Sequence, residues 1–281
     1  MSVLSSSPAP TFPAHPSTGL RTPGLHVYRV GAGEPLVLLH GLGESHIGWR
    51  PVIEALSDHY EVIAIDLPGF GRSPALPGGL APHAANLAVV IEHTLDELGI
   101  DTYHVAGYSL GARVAIQLAA STRVRSVIAI APVGLGTPVE RLQGFVALLL
   151  GRSLAMALAP VDGWFPACRT LFLAASRSLP WLIGPADARQ LLTDFANAPA
   201  YDATNWASLF DVPTHLHTIT QPALFLQGTA DLMTPQISRF AHLIPRAKLI
   251  YLPGMHHVPI SDDPKAVAHH MLTFLRQVAV S

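Results

Sequence analysis

Three observations predict an α/β fold, with a mostly parallel sheet covered by helices on both faces and a helical insertion lying over it. Short runs that are apolar on both faces recur along the chain, the pattern of strands buried between two helical layers. Each run is followed by a turn and then by a helical pattern, the rhythm of parallel strands joined by crossovers. Between Ala131 and about Thr220 that rhythm stops, and apolar helical stretches separated by Gly and Pro take over.

The elements follow in order. Residues 1–24, "MSVLSSSPAPTFPAHPSTGLRTPG", are rich in Ser and Pro and predict an irregular lead-in; no basic start precedes an apolar run, so no secretory signal is expected. Leu36 to Leu39 is the first recognisable strand, followed by a loop and a helix around Trp49 to Leu56. Val62 to Ile65 runs into Asp66 and a Pro/Gly turn, and Ala84 to about Leu98 is helical. Tyr103 to Ala106 is a strand, and Ala112 to Ala120 a helix with Arg113 and Gln117 on its wet side. Val127 to Ile130, Ala223 to Leu226 and Lys248 to Tyr251 complete the strands. The core is thus 25–132 with 221–281. Residues 133–220 form a helical cap placed after the sixth strand of such a sheet, outside the carboxyl ends where ligands bind.

Composition narrows the function. A chain of 281 residues suffices for one large domain with an ample core. Its formal charge is −2 and it has no basic run, which disfavours nucleic acid as a partner. Charged residues make up 13% and the mean hydropathy is +0.36, pointing to a greasy surface or pocket. A lone cysteine, Cys168, excludes an internal disulfide and a cysteine metal cluster. The most apolar stretch, Phe145 to Ala159, is interrupted by Gly151 and Arg152 and falls short of the roughly 20 residues a membrane span needs. A soluble, cytoplasmic protein is the expectation.

The chemistry centres on Gly107-Tyr108-Ser109-Leu110-Gly111. A serine between a strand and a helix, flanked by Gly107 and Gly111, fits a turn whose strained backbone lifts the hydroxyl above the sheet edge. The free amide of Leu110, at the start of the helix, would face a developing oxyanion. A serine hydroxyl is hardly ionised at neutral pH, so a histidine must take its proton and a carboxylate must orient that histidine. The partners should follow as acid and then histidine, each beyond a late strand. Asp231 lies in "LFLQGTADLMTP", and His256 and His257 lie in "IYLPGMHHVPISDDP". Asp202 and Asp211 fall in or near the cap and Asp262 next to the last helix, which leaves Asp231 as the orienting acid.

Four blocks in this order, "LVLLHGLGESHIGW", "VIAIDLPGFGRS", "VAGYSLGARVA" and the paired "QGTADLMTP" with "PGMHHVPISDDP", make the chain resemble the α/β-hydrolase superfamily over nearly all its length except the lead-in and the cap. Aligning Val258-Pro259 and Asp262-Asp263-Pro264 with the usual family ending makes His257 the base; a register one residue off would give the role to His256. The resemblance also makes the amide of Leu42, in "HGLG", the second oxyanion donor. Gly41 and Gly43 would let the backbone expose it, and His40 would brace the loop from beneath. Removing one such donor typically costs about 2.7–4 kcal/mol of transition-state stabilisation. Glu44 is expected to be a solvated loop residue. His46 and His104 are expected to be structural or solvent-facing, with no metal site among the histidine spacings. "DLPGFGRS" lacks the Lys and Ser/Thr of a phosphate loop and implies a structural bend.

Relatives that open epoxides or displace halide carry an aspartate at the elbow, and Ser109 disfavours those reactions here. The implied activity is hydrolysis of a carboxylic ester of an apolar small molecule through an acyl-enzyme, with water as second substrate and no cofactor or metal. The same three side chains also serve carbon–carbon bond hydrolysis, for which Arg152, Arg169 and Arg177 could meet a substrate carboxylate, and cofactor-free peracid formation. A non-catalytic binding protein on the same fold is the alternative from another class. The apolar cap stretches fit an apolar substrate, packing of the cap onto the sheet, or a homodimer contact.

Overall fold

The computed structural model describes residues 24–76, 82–133, 190, 193–194, 216–231 and 237–280, with Arg239 and Phe240 by backbone alone. Nearly all of the expected lead-in and cap, including Cys168, Arg152, Arg169, Arg177, Asp202 and Asp211, lies outside the described residues.

Among the described residues seven strands form one sheet: β1 (Val27–Val30), β2 (Pro35–Leu39), β3 (Glu61–Ile65), β4 (Tyr103–Tyr108), β5 (Val124–Ile130), β6 (Ala223–Gly228) and β7 (Ala247–Leu252), in the order β1-β3-β2-β4-β5-β6-β7. β1 pairs antiparallel with β3, and every other pair is parallel. The described helices are α1 (Arg50–Ser57), α2 (Ala84–Glu97), α3 (Leu110–Leu118), α4 (Ser238–Leu243), α5 (Pro259–Asp262) and α6 (Pro264–Ala279). None of them is long and apolar enough to cross a membrane.

The strands are apolar on both sides because both sides are covered. Val37, Leu39, Ile63 and Ile65 join the core formed with Leu87, Ile91 and Ala115 of α2 and α3. Their neighbours Leu36, Leu38, Val62 and Ala64 join the opposite core with Val52 and Leu56 of α1 and Val267, Met271 and Leu275 of α6. Alternation along each strand sends successive side chains to opposite layers. At the start of α6, Pro264 occupies the first turn, where its missing N–H costs nothing, and Asp263 accepts from the Ala266 amide at 3.0 Å.

Two sequence-based readings need correction. β1, "VYRV", is too short and mixed to stand out, and it gains its place by pairing with β3 from Val27 opposite Ile65 to Val30 opposite Val62. Arg113 and Gln117 are buried at 3% and 9% exposure, because α3 is sandwiched between the sheet and α2 and has no wet side.

The chain moves from β2 to β3 on one side and returns to place β4 on the other, with Leu39 opposite Gly107. The carboxyl ends of β2 and β4 thus flank a topological switch point, where open α/β sheets form their crevice. "HGLG" leaves from one end and Ser109 from the other.

Candidate active site

One residue separates β4 from α3, and it is Ser109, with φ 53° and ψ −115°. Among the described residues only Ala131 shares a positive φ without being glycine. Such a backbone costs on the order of 1–3 kcal/mol and persists only where its surroundings enforce it. Here they do: the Ser109 amide donates to Ile130 O at 2.9 Å. A Cβ on Gly107 would lie 2.2 Å from Gly111 O, and one on Gly111 would lie 2.1 Å from Leu39 O. Only glycine lets strand, helix and the end of β2 close on the serine.

His257 meets that serine. Its Nε2 lies 3.0 Å from Ser109 Oγ, and its Nδ1 lies 3.0 Å from Asp231 Oδ2. A carboxylate only accepts, so Nδ1 carries the proton and Nε2 is free to accept from the serine hydroxyl. Asp231 is 5% exposed, and the same Oδ2 also accepts from Gln227 Nε2 at 2.7 Å. The loops after β6 and β7 are laced together: Thr229 N–H donates to Leu252 O, Ala230 N–H to Met255 O, and Gly254 N–H to Thr229 Oγ1. Gly228 permits this approach, since a Cβ there would sit 2.2 Å from Met255 O. His256 turns elsewhere, with its amide donating to Asp262 Oδ2 at 2.5 Å and its ring 3.3 Å from the same carboxylate.

The loop after β2 is braced as a turn. Gly41 O accepts from the Glu44 amide at 3.4 Å, and Gly43 has φ 78°, which suits the third position of a type II turn. His40 is fully buried; its Nε2 accepts from the Leu67 amide at 2.9 Å, so its Nδ1–H donates to Gly41 O at 2.7 Å. Burial holds the His40 ring neutral by lowering its pKa, against the pull of Asp66. Fixing the Gly41 carbonyl fixes the opposite end of the same planar peptide, the Leu42 N–H. Among the described residues neither the Leu42 nor the Leu110 amide takes part in a loop or cap hydrogen bond.

Sequence reasoning missed a buried hub beneath this loop. Asp66 is fully buried, and its Oδ1 accepts from the His46 amide at 2.7 Å and lies 2.8 Å from His46 Nδ1. Oδ2 accepts from the Arg72 amide at 3.0 Å and lies 3.1 Å from His26 Nδ1. Burial opposes ionisation, but the bonds from His46 and the Arg72 amide outweigh it and bring the carboxyl down to about 2. His26, His46 and Asp66 hold their ligating atoms within 4.8 Å, so they could receive a cation. Hydrogen bonding to one buried carboxylate already accounts for much of the arrangement. The spacing 26, 46, 66 carries no motif, which is why the sequence concealed it.

Two further partners were also hidden. Gln227, one residue before the end of β6, supports Asp231, and a polar residue in an otherwise apolar strand was its one signal. Glu44 is not the solvated loop residue expected: it accepts from the Tyr108 hydroxyl, and burial together with the charge of Asp194 pushes its carboxyl up to about 8.

Comparison with known proteins agrees with the architecture. A component of the acetoin cleaving system, a dihydrolipoyllysine-residue acetyltransferase, is 40% identical over 44% of this chain in Cupriavidus necator and 31% identical over 87% in Pseudomonas putida. The chain spans 34% and 64% of the length of those two relatives. A pimeloyl-[acyl-carrier protein] methyl ester esterase of Nitrosomonas europaea is 30% identical, covering 86% of this chain and 95% of that one. A thermophilic esterase from Thermogutta terrifontis superposes with a TM-score of 0.66 at 22% identity, covering 90% of this chain and 93% of the other. The family model described as the alpha/beta hydrolase family matches residues 36–270. With that match running from β2 into α6, the chain belongs to the alpha/beta hydrolase family.

Proposed function

We propose that the protein hydrolyses a carboxylic ester of an apolar small molecule through an acyl-enzyme on Ser109. The observation that carries this reading is the continuous relay Ser109 Oγ, His257 Nε2, His257 Nδ1, Asp231 Oδ2, with 3.0 Å at both links. Ser109 Oγ attacks the ester carbonyl carbon while its proton passes to His257 Nε2, and Asp231 stabilises the resulting imidazolium. The carbonyl oxygen, now anionic, is held by the amides of Leu42 and Leu110. Collapse expels the alcohol, which takes the proton from His257. Water then enters, gives its proton to His257 and attacks the acyl carbon, and Ser109 recovers its hydrogen as the acid departs. The methyl ester esterases among the relatives support the ester as substrate class.

The likeness to components named acetyltransferases supports a second use of the same acyl-enzyme, in which an alcohol or thiol replaces water as acceptor. Incubation with a short-chain activated ester tests the main reading. Turnover lost in Ser109→Ala is expected, and wild-type turnover no higher than that of Ser109→Ala would overturn it. An added alcohol or thiol that diverts product from acid to the corresponding new ester or thioester would favour the second.

A further inference from the structure

We propose that Glu44 is a positioning residue which, through its hydrogen bond with the Tyr108 hydroxyl, holds the turn of Leu42 against the turn of Ser109 and sets an alkaline limit on activity. The inference rests on the ester-hydrolase reading above and names a device within that site.

The geometry is a three-way junction. Tyr108 directly precedes Ser109, is 1% exposed, and packs edge-on against Trp49 with ring centroids 5.4 Å apart. The Tyr108 ring also lies on Gly41, where a Cβ would come within 2.7 Å of it. Its hydroxyl donates to Glu44 Oε2, and Glu44 in turn closes the Gly41 turn through its own amide. Gly48 makes room: a Cβ there would lie 2.3 Å from the Tyr108 hydroxyl and 2.4 Å from Glu44 Oε2. Glu44 and Tyr108 therefore join the loop carrying one amide donor to the strand end carrying the nucleophile and the other. Such donors must hold their place to a fraction of an ångström, since a shift of about 1 Å can cost on the order of a hundredfold in rate.

The groups facing Glu44 make the junction sensitive to pH. Tyr108 comes from β4, and His40 and His46 lie on its own loop with their rings engaged by Gly41 O and Asp66. Asp194, from the segment between β5 and β6, is 5% exposed; its Oδ1 accepts from Gln190 Nε2 at 2.7 Å, and among the described residues its Oδ2 has no hydrogen-bond partner. A neutral Glu44 suits this setting. Once ionised it is repelled by Asp194, and because it is only half-buried it can swing to water and release the turn.

The test is the turnover of a short-chain activated ester from pH 6 to 10, with thermal midpoints over pH 5 to 9, in wild type, Glu44→Gln and Tyr108→Phe. Wild-type kcat should fall above about pH 8. Glu44→Gln keeps an oxygen for the Tyr108 hydroxyl and should lose that alkaline fall. Tyr108→Phe should lower kcat about tenfold at pH 7 with KM little changed. Because Glu44 titrates higher folded than unfolded, wild-type stability should drop from about pH 4.5 to about 8 relative to Glu44→Gln. An active wild type whose alkaline limb survives Glu44→Gln, or whose kcat survives Tyr108→Phe, overturns the proposal and leaves the ester reading intact. A wild type with no turnover removes the ester reading and this role together.

Discussion

His257 Nε2 approaches Ser109 Oγ to 3.0 Å although 148 residues of chain separate them. The contact is made by the turns after β4 and β7, two strands of one sheet with β5 and β6 between them, and glycines and lacing hydrogen bonds hold both turns. Residues acting as such a unit are non-additive when removed. Ser109→Ala and His257→Ala should each lower kcat by about 10⁴–10⁶, and the double variant by no more than the worse single one. Steady-state kinetics on one ester checks this, and multiplied losses would mean that the two side chains act separately.

His256→Ala should cost far less. Its ring faces Asp262 rather than Ser109, so the loss is confined to loop support and should stay within about tenfold in kcat/KM. A deeper loss than that of His257→Ala would move the base by one residue.

Ser109 holds a φ of 53° that glycine adopts without strain. Ser109→Gly should therefore raise the unfolding free energy by about 1 kcal/mol relative to Ser109→Ala while remaining inactive. Urea denaturation of the two variants measures the difference, and an equal or lower midpoint for the glycine variant would place the strain elsewhere.

Asp66 titrates near 2 in the folded chain against 3.8 as a free side chain, so it contributes stability above pH 3.8 that is lost as pH falls through about 2. Asp66→Asn should destabilise by about 2 kcal/mol or more at pH 7, and the gap from wild type should narrow below pH 4. A gap independent of pH would assign the cost to shape rather than charge.

Much of the sheet was legible because its strands are apolar on both faces and β2, β3, β4, β6 and β7 each run into a recognisable motif. β1 was not, since four mixed residues carry no period and acquire a role only by pairing with β3. Ser109, Asp231 and His257 stood out because each lies just past a strand end, whereas Gln227, Asp66 and Glu44 act through partners remote in sequence. The contact of Glu44 with Tyr108 spans 64 residues and depends on the missing side chain of Gly48. Arg113 and Gln117 misled for the opposite reason: polar residues on a helix read as a wet face, and here α2 and the sheet cover it.

The most direct measurement is labelling with a fluorophosphonate, followed by peptide mapping of the adduct in wild type and in His257→Ala. A proton-relieved hydroxyl predicts one adduct, on Ser109, formed at a rate that collapses when the imidazole is removed. An unlabelled wild type, or an adduct on Ser109 that forms equally fast without His257, would contradict the account.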